Sequence, residues 1–158
     1  MEYTSGGGQI DLPGFFADLV RCETRLYNAL NDRLRTRHGI TTSQFESLRF
    51  LRDHPGARVA DIAAEFAIGI GATSKGVDRL ERQGWAVRQP NPADRRSSLL
   101  ALTDDGTRLV DAAQETLAEA LAELIGDTLD SASVSAAAQA FVKLRSALER
   151  NRIGMPTG

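Results

Sequence analysis

Between Val59 and Leu102 the chain reads VADIAAEFAIGIGATSKGVDRLERQGWAVRQPNPADRRSSLLAL, and its apolar spacing changes character along the way. Ile62, Ala63 and Phe66 fall on one face of a helix expected from Val59 to about Ala67. A glycine-containing turn follows, and a second helix is expected from about Gly71 to Gln83. Two short helices joined by a tight turn make a helix-turn-helix. Gly84 closes the second helix, after which Trp85-Ala86-Val87-Arg88-Gln89 and Ser98-Leu99-Leu100-Ala101-Leu102 flank the polar loop from Pro90 to Arg96. Two short strands around such a loop form a β-hairpin, with Trp85 as the anchor that packs it on the helices.

Working outward, Leu12, Phe15, Phe16, Leu19, Val20, Leu26, Tyr27, Leu30 and Leu34 describe one long amphipathic helix to about Arg37, ended by Gly39. Ser43 with Glu46 three residues on has the pattern of a capping box for a helix carrying Phe45, Leu48 and Leu51, which His54-Pro55-Gly56 stops. Beyond the hairpin, Thr103 is placed to cap a helix starting at Asp104, whose stripe Leu109, Val110, Ala113, Leu117, Leu121, Leu124, Ile125 is close to a heptad seam. A last helix from about Val134 to Arg150 carries Ala137, Phe141, Leu144 and Leu148 on one face. The expected fold class is therefore mainly α with a small β-hairpin wing: a winged helix-turn-helix domain flanked by long N- and C-terminal helices.

Those terminal helices present more apolar stripe than a small domain needs for its own core, so a homodimer is expected. In this division residues 10–38 and 104–150 are dimerisation helices, residues 40–103 the DNA-binding lobe, and 10–158 one domain. The tail over residues 1–9, with three consecutive glycines, is expected to be unstructured.

Composition narrows the function. With 158 residues, 42% hydrophobic and 25% charged, the chain is ordinary globular protein of a size for one core. It has neither a membrane-spanning run nor the blocks of a signal peptide, so a cytoplasmic protein with no membrane partner is expected. Cys22 is the single cysteine, and with only His38 and His54 beside it neither a disulfide, a metal site nor any other cofactor is expected. No Ser/His/Asp group, paired carboxylates, phosphate loop or dinucleotide fingerprint points to catalysis.

The net charge is −2, which on its own argues against nucleic acid. The average conceals an asymmetry. From Gly69 to Arg96 the bases Lys75, Arg79, Arg82, Arg88, Arg95 and Arg96 outnumber the acids Asp78, Glu81 and Asp94, whereas from Asp111 to Arg150 acids prevail.

Asp94-Arg95-Arg96-Ser97-Ser98-Leu99-Leu100-Ala101-Leu102-Thr103-Asp104-Asp105-Gly106 resembles the D-x-R-x(3)-L-x-L-T-x-x-G signature of the multiple-antibiotic-resistance regulator (MarR) family. It follows Asp78-Arg79-Leu80-Glu81-Arg82-Gln83-Gly84-Trp85, which resembles the end of that family's recognition helix. Ile40-Thr41-Thr42-Ser43-Gln44-Phe45 and Ile62-Ala63 are similar to the starts of its second and third helices. The ordered combination spans roughly residues 12 to 150. It implies a dimeric, non-catalytic transcription regulator, most simply a repressor, that binds a pseudo-palindromic duplex and responds to a small aromatic or anionic effector. One departure stands out: Ile68-Gly69-Ile70-Gly71-Ala72-Thr73-Ser74-Lys75-Gly76 carries glycines where family members place Ser or Thr, leaving fewer side chains for base contacts.

Candidate DNA contacts are Ser74, Lys75, Arg79 and Arg82 on the recognition helix, and Arg95 and Arg96 at the hairpin tip. On a helical wheel Thr73, Gly76, Val77 and Leu80 share the inner face, with Lys75, Asp78 and Arg82 opposite. The competing reading of that outer triplet is a solvated charge face. Arg95 and Arg96 have the length to enter a minor groove, with Asp94 expected to orient an arginine through a charge-assisted hydrogen bond. Tyr27, Phe45 and Arg49, with Phe50 nearby, lie where related proteins form a ligand cleft. Cys22 reads as a half-buried small apolar residue, the alternative being a peroxide-sensing thiol. A winged-helix module for protein partners, without DNA binding, is the remaining alternative.

Overall fold

In the computed structural model, which describes residues 8–157, a first helix α1 spans Leu12–His38. The tail expectation therefore falls largely on residues 1–7, outside the described residues. Asp11 caps α1 by accepting the Gly14 N–H at 3.0 Å, and Gly39 ends it with φ of 68°, the left-handed region open to glycine. Leu34 is its one buried residue, and much of its N-terminal half is exposed among the described residues.

Helix α2 is Thr42–Asp53. Its capping box is built from Thr41 and Gln44, two residues before the Ser43 and Glu46 expected from the sequence. The Gln44 N–H donates to Thr41 Oγ1 at 3.1 Å and the Thr41 N–H to Gln44 Oε1 at 3.0 Å. Thr41 takes the role because it is the last extended residue before the helix, with ψ of 162°, while Ser43 is already inside it. Glu46 instead pairs with Arg49 at 2.7 Å.

Helices α3 (Val59–Phe66) and α4 (Ile70–Arg82) follow, then strands β1 (Ala86–Pro90) and β2 (Ser98–Leu102). The strands pair antiparallel, with Ala86 opposite Leu102 and Pro90 opposite Ser98. Trp85 falls just before β1, half-buried against the core as expected of the hairpin's anchor. The Leu100 N–H donates to the Ala57 carbonyl at 2.8 Å, which ties the hairpin to the segment entering α3.

The core sits where α2, α3, α4, β2 and the next helix converge. Phe45, Leu48, Ile62, Leu80, Leu100 and Val110 are among its fully buried side chains, joined by Leu34 of α1. That next helix, α5 (Asp104–Leu121), is capped by Thr103, whose Oγ1 accepts the Gly106 N–H at 3.0 Å and donates to the Gly84 carbonyl at 2.6 Å. Gly106 is where α5 touches the hairpin root: a Cβ there would overlap the Trp85 carbonyl oxygen.

The stripe expected to run unbroken to Ile125 is interrupted. Ala122–Gly126 forms a π-helical turn, in which the Asp127 N–H bonds to the Ala122 carbonyl at 3.1 Å, and Gly126 marks its end. The last helix, α6, is Ser131–Arg150, starting three residues earlier than the apolar spacing indicated because Asp130 caps it through the Ser133 N–H at 2.7 Å. Helix α5 is laced to α1 by Arg37–Glu119 (2.8 Å) and His38–Thr116 (2.7 Å) and to α2 by Arg52–Asp111 (2.9 Å), and the π-turn is tied to α1 by Arg33–Glu123 (2.6 Å). The exposed ion pairs among these add little stability individually and serve mainly to fix the angle between helices. Helix α6 buries none of its residues.

Candidate nucleic-acid interface

Helix α4 buries Thr73, Val77 and Leu80 and turns Lys75, Asp78, Arg79 and Arg82 outward. The Thr73 hydroxyl donates to the Gly69 carbonyl at 2.8 Å, so a threonine occupies the inner face without an unsatisfied group. Ser74 is half-buried on the flank. Among the described residues, the side chains of Lys75, Arg79, Arg95 and Arg96 make no hydrogen bond or ion pair, and Arg82 reaches only the Asp78 backbone carbonyl at 3.4 Å. All five are exposed cations on α4 and on the tip of the hairpin packed against it.

Asp94 differs from expectation. Its carboxylate accepts the backbone N–H of Arg96 at 2.9 Å, not a guanidinium, so it shapes the turn and leaves both arginine side chains free. The loop is closed further by the Asn91 side chain, which accepts the Ala93 N–H and donates to Ser97 Oγ, each at 3.0 Å.

Arg88 is not singled out by the sequence reading beyond its charge. From β1 its guanidinium reaches back to α4, donating to Asp78 at 2.7 Å, to Glu81, and to the Ser74 carbonyl and hydroxyl oxygens at 3.4 Å. Its backbone N–H donates to Glu81 as well, at 3.2 Å. Burial opposes its charge, but the bonds to Asp78 and Glu81 outweigh that and push its pKa further up. The signal in the sequence is the pair Asp78 and Glu81, one helical turn apart on an element expected to approach phosphate. Acids in such a place call for an internal cation.

The three candidate ligand residues do not converge. Phe45 is fully buried in the core, with the Arg49 guanidinium 5.5 Å from its ring centroid, and lines neither of the two cavities that flank α2. It is the best-packed aromatic of the lobe, and burial there is what its α2 position between Thr42 and Leu48 dictates. Tyr27 lines a cavity of about 330 Å³ between α1, α2 and α4, alongside Asn31, Gln44 and Arg79. Its phenol pKa is raised by burial, then by Glu46 and Glu23. Arg49 lines a second cavity of about 390 Å³ on the other side of α2, with Phe50, His54 and Phe66. There the Phe50 ring stacks on His54 with centroids 4.2 Å apart and meets Phe66 edge-on. Cys22 is exposed on α1, not half-buried, on a face that the described residues leave uncovered.

A helix-turn-helix followed by a two-stranded wing, with an outward basic surface on both, defines a winged-helix protein. Residues 38–97 match the sequence model of the MarR family. The transcriptional repressor CouR, in a structure bound to a 23-mer DNA duplex, is 30% identical, with 77% of this chain and 88% of that one covered and a TM-score of 0.68. The chain belongs to the MarR family. CouR from Rhodococcus jostii RHA1 is also known bound to p-coumaroyl-CoA (26% identity, 94% and 95% covered, TM-score 0.70). Sco3205, a MarR family transcriptional regulator from Streptomyces coelicolor solved in complex with DNA, shares the fold over 97% of this chain and 98% of its own, with a TM-score of 0.83 at 20% identity. The multiple antibiotic resistance protein MarR of Salmonella typhimurium is 32% identical over 88 residues, 53% of this chain and 61% of that protein. The chain thus spans about three-fifths of the length of the curated relatives it matches.

Proposed function

We propose that this chain is a sequence-specific double-stranded DNA-binding transcription regulator, a non-enzymatic cytoplasmic repressor acting as a homodimer on a pseudo-palindromic operator. The observation that carries the reading is the set of five exposed cations, Lys75, Arg79, Arg82, Arg95 and Arg96, free of acidic partners on the recognition helix and wing tip. Residues 40–103 form the DNA-binding lobe, while 10–38 and 104–150 pair the two copies, which sets the recognition helices about one DNA turn apart. The relatives solved on DNA support this, and among the described residues no helix is long and apolar enough to cross a membrane.

The effector is a small aromatic or anionic molecule. The cavity beside Tyr27 suits it better than the Arg49 side of α2, because Arg79 lines its wall and would be engaged by a bound anion at the expense of DNA. CouR with p-coumaroyl-CoA is a relative that holds such a molecule.

A mobility shift on the DNA upstream of the chain's own gene tests the reading. Arg96→Ala should weaken operator and random duplex alike and lower the salt slope by about one. Lys75→Ala should cost about 1–3 kcal/mol on the operator with little effect on random DNA. Undiminished affinity in both variants, or no shift by the wild type, would favour a winged-helix module for protein partners instead.

A further inference from the structure

We infer that Arg88 sets the specificity of the recognition helix without touching DNA: it cancels Asp78 and Glu81 and fixes the Ser74 hydroxyl as a hydrogen-bond donor. The inference rests on the DNA-binding reading above and adds a positioning residue to it.

The chemistry of the guanidinium carries the argument. It has five N–H donors and no acceptor, held in a planar fork. One amino group serves Asp78 and Glu81, and the other is directed to both oxygens of Ser74. Because the guanidinium only donates, Ser74 Oγ accepts, and the single hydroxyl proton of Ser74 is left for something else. In the major groove the acceptors are guanine N7 and O6, adenine N7 and thymine O4, whereas cytosine offers only its amino donor. The Ser74 position of each half-site should therefore prefer a base with an acceptor edge and disfavour cytosine.

The charge arrangement points the same way. Asp78 and Glu81 stand on the helix that carries Lys75, Arg79 and Arg82, with side chains about half and one-third exposed. Left unpaired, two carboxylates there would repel phosphate. Arg88 sits on the neighbouring strand, with only 25% of its side chain exposed, where it meets both acids. Lysine offers the same charge as a point and has no fork with which to reach the acids and Ser74 together.

The test uses the full chain and duplexes selected from a random pool, with affinities measured on the selected duplex and on a scrambled one across a salt series. Arg88→Gln should weaken both duplexes by on the order of tenfold, since like charges then face one another. The triple variant Arg88→Gln, Asp78→Asn, Glu81→Gln should regain the scrambled-duplex affinity while keeping an altered base preference. Arg88→Lys should retain scrambled-duplex affinity and relax the preference. Ser74→Ala should relax it at the same base position, by about threefold to tenfold for one lost hydrogen bond. If the triple variant does not recover, Arg88 itself holds phosphate and the inference fails. It fails too if Ser74→Ala and Arg88→Lys alter different positions, or if Ser74→Ala weakens all sequences equally, which would make Ser74 a phosphate contact. Wild-type binding with every variant unchanged overturns the role of Arg88 alone, whereas a wild type that selects no duplex removes the DNA-binding reading and this inference with it.

Discussion

Helices α4 and α6 have comparable apolar spacing and opposite fates. The thirteen residues of α4 bury Thr73, Val77 and Leu80, whereas the twenty residues of α6 bury nothing, and Phe141, Val142 and Leu144 are 45%, 56% and 48% exposed. The lobe around α4 finishes its core from its own sequence. The outer helices do not, and their apolar faces, with Leu12 and Phe16 of α1, are left uncovered by the described residues. An amphipathic stripe states that a face is to be covered; it leaves open whether the cover comes from the same chain.

The contrast is broken if the two regions respond alike to mutation. The largest effect is expected from Phe45→Ala, which removes the largest fully buried side chain and should cost about 3–5 kcal/mol in denaturant unfolding, whatever the protein concentration. Leu144→Glu should act differently. It should convert a dimer at micromolar concentration to a 17 kDa monomer in sedimentation and lower the melting temperature only where wild-type protein is dimeric, because an unpaired charge would be set against an apolar partner surface. Equal, concentration-independent losses in both variants would mean that α6 belongs to the core of its own chain.

How much of this was legible beforehand follows the same line. The hairpin, the Thr103 cap and the inner face of α4 could be read because local spacing and cap chemistry decide them. The capping box of α2 slipped by two residues because Thr41, Ser43, Gln44 and Glu46 offer two overlapping patterns, and only the backbone of Thr41 chooses between them. The π-turn after Leu121 leaves no trace in a stripe that simply continues. The ligand residues were the least legible. Phe45 and Tyr27 look alike in sequence, but one points into the core and the other into a cavity, a distinction made by tertiary packing. Arg88 escaped notice because its partners lie seven to fourteen residues away on another element.

Two smaller effects sharpen the comparison. Gly106→Ala should destabilise the lobe by about 1–3 kcal/mol, since its methyl would overlap the Trp85 carbonyl, and the hairpin root would have to move. The same exchange at Gly126, where a Cβ meets nothing, should be nearly silent. The smallest effect is in acid. Asp61 is held below the usual carboxylate range by the Arg58 backbone N–H, Glu123 by its bond to Arg33, and Asp130 by Ser133. A folded-state pKa below the unfolded one gives stability that is complete above about pH 5, beyond the unfolded carboxylate values, and is lost as the pH falls through the folded values. Unfolding midpoints measured from neutral pH downward should therefore hold level and then decline, and a rise on acidification would contradict these assignments.

The Thr103 junction has a mechanical consequence. Its N–H bonds to the Trp85 carbonyl at 3.1 Å and its hydroxyl to Gly84, and Leu100 is pinned to Ala57, so the hilt of the hairpin is bolted to the helices. Between Pro90 and Ser98, among the described residues, the bonds are local ones within the loop, among Asn91, Ala93, Asp94, Arg96 and Ser97. The wing is thus a lever with a stiff root and a compliant blade, able to follow grooves of different width without disturbing the core. Amide hydrogen exchange should record this as a gradient, slowest at Leu100 and fastest around Asp94.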